Sequence, residues 1–109
     1  MSRLNFNPPI HPGEILREEY LAPLDLKPYT LAKKLDVPRT RIERLVTEQT
    51  PVTTDTALRL AKFFGTTPQF WMNMQAGYDI AIEAKAKMAD LEKIEPLATQ
   101  NYAEARLVG

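Results

Sequence analysis

The sequence predicts an all-α protein built from five helices with a C-terminal helical extension. Apolar residues recur at helical spacing along the chain, and no stretch alternates apolar and polar residues for long enough to form a sheet. Prolines stand where helices are expected to begin. The length of 109 residues fits a single domain, 1–109, because two cores of half that size would be too small to be stable.

The composition excludes several functional classes. The chain has no Cys, so disulfides and thiolate metal sites are impossible, and its one His cannot form a cluster of His ligands. No apolar run reaches the roughly 18 residues of a membrane helix, and the N-terminus lacks the apolar region of a signal peptide. We therefore expect a cytoplasmic protein that does not contact a membrane and has no enzymatic activity, cofactor or metal ion.

The bounds of the helices follow from prolines and capping residues. The first three helices are expected at about residues 11–23, 28–35 and 38–47. Thr53 can cap a fourth helix that ends before Gly65, and this helix is expected to bury Ala57, Leu58, Leu60, Ala61 and Phe64. A fifth helix begins at Thr67 and Pro68, continues through an alanine-rich charged segment, and ends before Pro96.

The second and third helices fit a helix-turn-helix motif. Two short helices that cross steeply need a small residue at their closest approach, which is Ala32, and an apolar residue in the turn, which is Val37. The turn residue Asp36 is expected to adopt a positive φ, which Asp tolerates better than most residues. All six apolar positions match: Leu31, Ala32, Leu35, Val37, Ile42 and Leu45.

Positive charge is concentrated on this motif. The whole chain is neutral, but residues 27–44 carry a net charge of +4. Such a segment can be an ordinary solvated helix face, or it can bind phosphate groups. The coincidence of the charge with the motif favours DNA, and the third helix is then the recognition helix that enters the major groove.

The recognition helix has a predicted outward side. We expect Arg39, Thr40 and Arg44 to contact bases, because Arg can bond a guanine edge and Thr can touch a thymine methyl. Six further residues are better placed for the DNA backbone: Lys27, Lys33, Lys34, Arg41, Thr53 and Thr54.

An aromatic cluster begins the fifth helix. Phe70, Trp71 and Met74 share one side of this helix, and they can belong to the core, to a ligand pocket or to a subunit interface. Two adjacent aromatic residues cannot both face one small core, so we expect a homodimer interface here. The helix-turn-helix core is then about residues 11–66, and the dimerisation helix with its extension is about residues 67–109.

Several segments are distinctive enough to suggest a family. The segments HPGE, PRTRI, TDTALRL and FWMNMQ resemble the HigA (VapI-type) antitoxins, a branch of the lambda-repressor-like (Xre) helix-turn-helix proteins, over about residues 11–96. Two positions depart from the family pattern: Asp36 replaces the usual Gly of the turn, and TEQTPV follows the third helix where an Asn-Gly pair is common.

The resemblance implies a function. A HigA antitoxin neutralises a HigB-type toxin, an mRNA-cleaving ribonuclease, and as a homodimer binds operator DNA to repress its own operon. Two alternatives stay open: a stand-alone helix-turn-helix transcriptional regulator without a toxin, and a protein-interaction module that no longer binds DNA.

Overall fold

The computed structural model describes residues 9–97, and all regular structure in that range is helical. The first helix, α1, is an α-helix over Pro12–Ile15, a π-helix over Leu16–Leu21 and an α-helix again over Ala22–Leu24. The others are α2 (Pro28–Leu35), α3 (Arg39–Val46), α4 (Thr54–Phe64), α5 (Pro68–Ala86) and α6 (Met88–Glu92). The predicted all-α class is confirmed for these residues. The end of the expected extension, after residue 97, lies outside the described residues.

The predicted capping residues fix the helix ends. Thr53 accepts a hydrogen bond from the Thr56 backbone N–H at 3.3 Å, and α4 ends at Gly65 with a φ of 74°. The Thr67 hydroxyl accepts from the Phe70 N–H at 3.1 Å where α5 begins. These caps satisfy backbone donors that the first turn of a helix leaves unpaired.

Two helix ends differ from the prediction. Pro23 does not end α1, which continues to Leu24 and is followed by Asp25 in the left-handed conformation. The π-helical turns immediately before Pro23 widen the helix where the proline cannot donate a hydrogen bond. The long fifth helix breaks at Lys87 into α5 and α6, and α6 buries no residue.

The core is formed by the inward sides of α1, α2, α3 and α4 together with the first turn of α5. It consists of Leu16, Leu21, Leu31, Ala32, Leu35, Ile42, Leu45, Val46, Val52, Ala57, Leu60, Ala61 and Trp71. The prediction that Leu58 is buried is wrong, since it is 52% exposed. None of the described helices is both long and apolar enough to cross a membrane.

The structure corrects the assignment of Trp71. This side chain is fully buried within one chain, its ring centroid lies 5.2 Å from that of Tyr20, and its indole N–H donates to the Thr66 hydroxyl at 2.8 Å. A residue with no exposed surface cannot contact a second subunit, so Trp71 belongs to the core and not to a dimer interface. Phe70 is 38% exposed and Met74 is half-buried, so both can still contact a partner.

Helix α1 fixes the end of α3 through a close backbone contact. A Cβ atom on Gly13 would lie 1.9 Å from the Leu45 carbonyl oxygen, so only glycine fits at this point. The Gly13 N–H donates to Nδ1 of the buried His11 at 2.8 Å. The segment HPGE therefore provides the contact between α1 and the recognition helix.

Candidate nucleic-acid interface

The turn between α2 and α3 has the conformation that the sequence predicts. Asp36 is left-handed with a φ of 59°, and the Val37 N–H donates to the Ala32 carbonyl at 3.0 Å. Ala32 is buried and Val37 half-buried against the core. The two helices therefore pack as a helix-turn-helix motif, with α3 in the position of the recognition helix.

Helix α3 divides cleanly into a buried and an exposed side. Ile42, Leu45 and Val46 are in the core. Arg39, Thr40 and Arg44, the residues expected to contact bases, are all exposed. Arg44 forms no ion pair with any residue in the range 9–97.

Arg39 is exposed but partly restrained. Its Nε atom lies 2.9 Å from a carboxylate oxygen of Glu43, one turn later, and its guanidinium carbon lies 5.8 Å from the centroid of the Tyr29 ring. The side chain is still 68% exposed. The acid and the ring therefore limit the rotamers of Arg39 while its remaining N–H donors can reach a ligand.

Arg41 has a different environment from the other arginines of α3. It is only half-exposed, and its guanidinium donates to Asp55 in the first turn of α4. Asp55 also accepts from Arg59 Nε at 3.0 Å. Hydrogen bonds from Arg41 and then Arg59 lower the pKa of the Asp55 carboxyl below its usual value, so this residue is charged at neutral pH.

The other residues expected to contact the DNA backbone are exposed. Lys33 and Lys34 lie in the last turn of α2, and Lys27 is the N-cap residue of that helix without a capping side-chain bond. Thr54 is the first residue of α4. The Thr53 hydroxyl accepts from the Thr56 N–H and donates to the Thr56 hydroxyl at 3.2 Å, so its backbone N–H is the donor that it can offer to a phosphate.

Two arginines that were not predicted from the sequence hold the helix-turn-helix motif in place. Arg17 on α1 donates to the Val46 carbonyl at the end of α3 and, at 3.3 Å, to Glu48. Arg59 on α4 donates to the Leu35 carbonyl at 2.8 Å, which caps the end of α2. The i,i+4 spacing of Asp55 and Arg59 in the sequence could have predicted their ion pair. The backbone carbonyls to which Arg17 and Arg59 donate are distant in the chain, so the sequence did not indicate them.

A buried glutamine fixes the loop after the recognition helix. The Gln75 side-chain carbonyl accepts from the Val52 N–H at 2.7 Å, and its amide donates to Asp79 at 2.8 Å. Gln75 is 5% exposed and lies one turn after Trp71 on α5. Gln75 is a polar residue on the inward side of α5. Because buried polar groups need hydrogen-bond partners, its position in the sequence could have predicted such a bond.

The fold and the exposed arginines of α3 define a protein of the helix-turn-helix class, and comparisons agree. The family model described as "Helix-turn-helix" matches residues 16–71. Virulence-associated protein I of Dichelobacter nodosus is 50% identical over 95 residues, which cover 87% of each chain.

Two solved structures are also similar over most of the chain. The antitoxin HigA of Pseudomonas aeruginosa, solved with the higBA promoter, has a TM-score of 0.80 and 44% identity over 82% of this chain and 98% of that chain. An addiction module antidote protein of the HigA family from Coxiella burnetii has a TM-score of 0.77 and 47% identity, with the same coverage of both chains. The chain belongs to the helix-turn-helix family and, within it, to the HigA (VapI-type) branch. The similar proteins include antitoxins and helix-turn-helix transcriptional regulators, which supports the expectation that this chain is not an enzyme.

Proposed function

We propose that the chain is the antitoxin of a type II toxin–antitoxin module. As a homodimer it binds the operator of its own operon and represses transcription, and it neutralises a HigB-type mRNA-cleaving toxin. The observation that carries the DNA-binding part is the exposed side of α3, where Arg39, Thr40 and Arg44 extend from a helix that is fixed at both ends. The toxin is inferred from the likeness to antitoxins of the HigA family.

On DNA, Arg39, Thr40 and Arg44 read base edges in the major groove, each good contact contributing roughly 1–3 kcal/mol of discrimination. Contacts to phosphates come from the neighbouring elements, namely Lys27, Lys33, Lys34, Thr53 and Thr54. The sequence predicts Arg41 among them as well, but its guanidinium already donates to Asp55.

The homodimer uses α5. Phe70 and Met74 leave apolar surface on this helix, and Ile80 and Ile82 further along it are 67% and 44% exposed. A second copy that covers this surface places the two recognition helices about 34–36 Å apart, one turn of DNA, as a palindromic operator requires. Residues 67–109 then form the dimerisation part and residues 11–66 the DNA-binding core. A protein with this task works in the cytoplasm, where its operator and its toxin are.

Co-expression tests the antitoxin assignment. The gene next to this one is induced alone and together with this chain, and growth is measured. We expect arrest by the neighbour alone and rescue by co-expression. If the neighbour is harmless while the chain still shifts its own promoter in a gel, the chain is a stand-alone regulator. If the promoter is not shifted, DNA binding is wrong.

Sedimentation tests the dimer. At tens of micromolar we expect a two-fold dimer, and Phe70→Glu together with Met74→Glu should give monomers that retain the helical circular dichroism of the original protein. A chain that sediments only as a monomer without these changes contradicts the assignment of α5.

A further inference from the structure

Asp55 is an acidic residue of α4 that lies beside the basic residues of the proposed DNA surface. Asp55 is in the first turn of α4, directly after Thr53 and Thr54, and its side chain is 52% exposed. An unpaired carboxylate at this position would repel phosphates. Here the same oxygen, Oδ2, accepts hydrogen bonds from both Arg41 and Arg59.

The position of Asp55 is itself fixed by the motif. Arg59 bonds Asp55 and also donates to the Leu35 carbonyl, so a continuous chain of hydrogen bonds runs from the end of α2 through α4 to Arg41 on α3. Within residues 9–97 Arg44 has no acidic partner. Arg39 pairs with Glu43 of its own helix, but its side chain is far more exposed than that of Arg41, at 68% against 39%. Arg41 is thus the arginine of α3 that the protein holds most firmly.

We propose that Asp55 limits the affinity for DNA of any sequence by holding Arg41 away from the DNA backbone. The proposal rests on the proposed DNA-binding function. Contacts to phosphates strengthen binding to every sequence, whereas the regulator must distinguish its operator from a large excess of other DNA. A carboxylate that occupies Arg41 lowers the affinity for all DNA and leaves the base contacts of Arg39 and Arg44 to select the operator.

The test replaces Asp55 by the uncharged residue of the same shape. Asp55→Asn frees Arg41 for one phosphate contact in each protomer, so the dimer gains two contacts and the dependence of log K on log salt steepens by about 1.8. Between 50 and 200 mM salt, the affinity of the variant dimer for scrambled DNA should therefore fall about 12-fold more than that of the original dimer. At 50 mM salt the variant should bind scrambled DNA and operator DNA more tightly by a similar factor, because a phosphate contact does not depend on the base sequence.

Two controls separate this mechanism from simple charge effects. The double variant Asp55→Asn with Arg41→Gln removes the repulsion between the Asp55 carboxylate and the phosphates, but it also removes the guanidinium of Arg41. It should therefore lack the additional salt dependence of Asp55→Asn. Asp90→Asn changes the net charge by the same amount on α6 and should leave scrambled-DNA binding unchanged. If the double variant keeps the gain, Asp55 acts only by repulsion and the proposal is overturned. It is also overturned if Asp55→Asn binds scrambled DNA as the original protein does.

The original protein on its operator provides the separate test of the proposed function. If it binds operator and scrambled DNA equally, operator recognition is wrong, while the comparison of variants on scrambled DNA still decides the role of Asp55. If neither the original protein nor a variant binds DNA at 50 mM salt, both proposals are wrong. Exposed ion pairs contribute little to folding, so Asp55→Asn should keep its helical circular dichroism and a cooperative melting transition.

Discussion

The contact between Gly13 and α3 gives a prediction with a magnitude that can be worked out. In Gly13→Ala the new methyl carbon would lie 1.9 Å from the Leu45 carbonyl oxygen and 2.9 Å from the carbonyl carbon. Non-bonded carbon and oxygen atoms need more than 3 Å, so α1 and α3 must separate by more than 1 Å. Overpacking of this kind costs about 1–3 kcal/mol or more. The methyl group would also lie 3.1 Å from the capping Nδ1 of His11 and displace it, which adds about 1 kcal/mol.

The expected loss of about 2–4 kcal/mol should lower the melting temperature by about 8–32 °C, because each kcal/mol corresponds to about 4–8 °C in a chain of this size. Thermal denaturation followed by circular dichroism measures it. Gly77→Ala is the matched control, since a Cβ on Gly77 in α5 meets no atom within 4 Å and alanine favours helix. A Gly13→Ala variant with the same melting temperature as the original protein would refute the close packing of α1 on α3.

Two further predictions concern buried polar groups. Burial lowers the pKa of His11 below its usual 6.5, against weaker effects of nearby carboxylates, so its contribution to stability is complete above pH 6.5 and decreases as the pH falls below that value. Urea denaturation at pH 7.5 and 5.5 should show this loss, and His11→Asn, which can cap without titrating, should show little of it. Gln75→Leu leaves the buried Val52 N–H without its partner and should lower the free energy of unfolding by about 1–3 kcal/mol, whereas Gln69→Leu on the exposed side of α5 should change it by less than about 0.5 kcal/mol. Equal losses at the two glutamines would contradict the assigned hydrogen bond.

Local signals in the sequence were sufficient for most of the architecture. The bounds of α2 and α4 follow from Pro28, Asp36, Thr53 and Gly65, since each of these residues favours one backbone conformation at a helix end. The exposed side of α3 follows from the three apolar residues that must face inward. These features depend on residues that are close together in the chain.

Features that depend on distant residues were not predictable in the same way. Apolar residues cover more than half the circumference of α4, and the pattern does not indicate that Leu58 is the one left outside. The complete burial of Trp71 depends on how its side chain packs against α1 and α4 in the folded chain. The pairing of Arg41 with Asp55 joins two helices, and only the folded chain shows that these side chains meet.

Base recognition by α3 is tested most directly by titrating four variants on operator and scrambled DNA at two salt concentrations. Arg39→Ala and Arg44→Ala should each weaken operator binding by roughly 1–3 kcal/mol and affect scrambled DNA much less. Lys33→Ala and Lys34→Ala should weaken binding to both DNAs equally and reduce the salt dependence by about one unit for each lost phosphate contact. If the Arg variants lose the same affinity on both DNAs, these arginines bind only the backbone, and the assignment of α3 as the base-reading helix is contradicted.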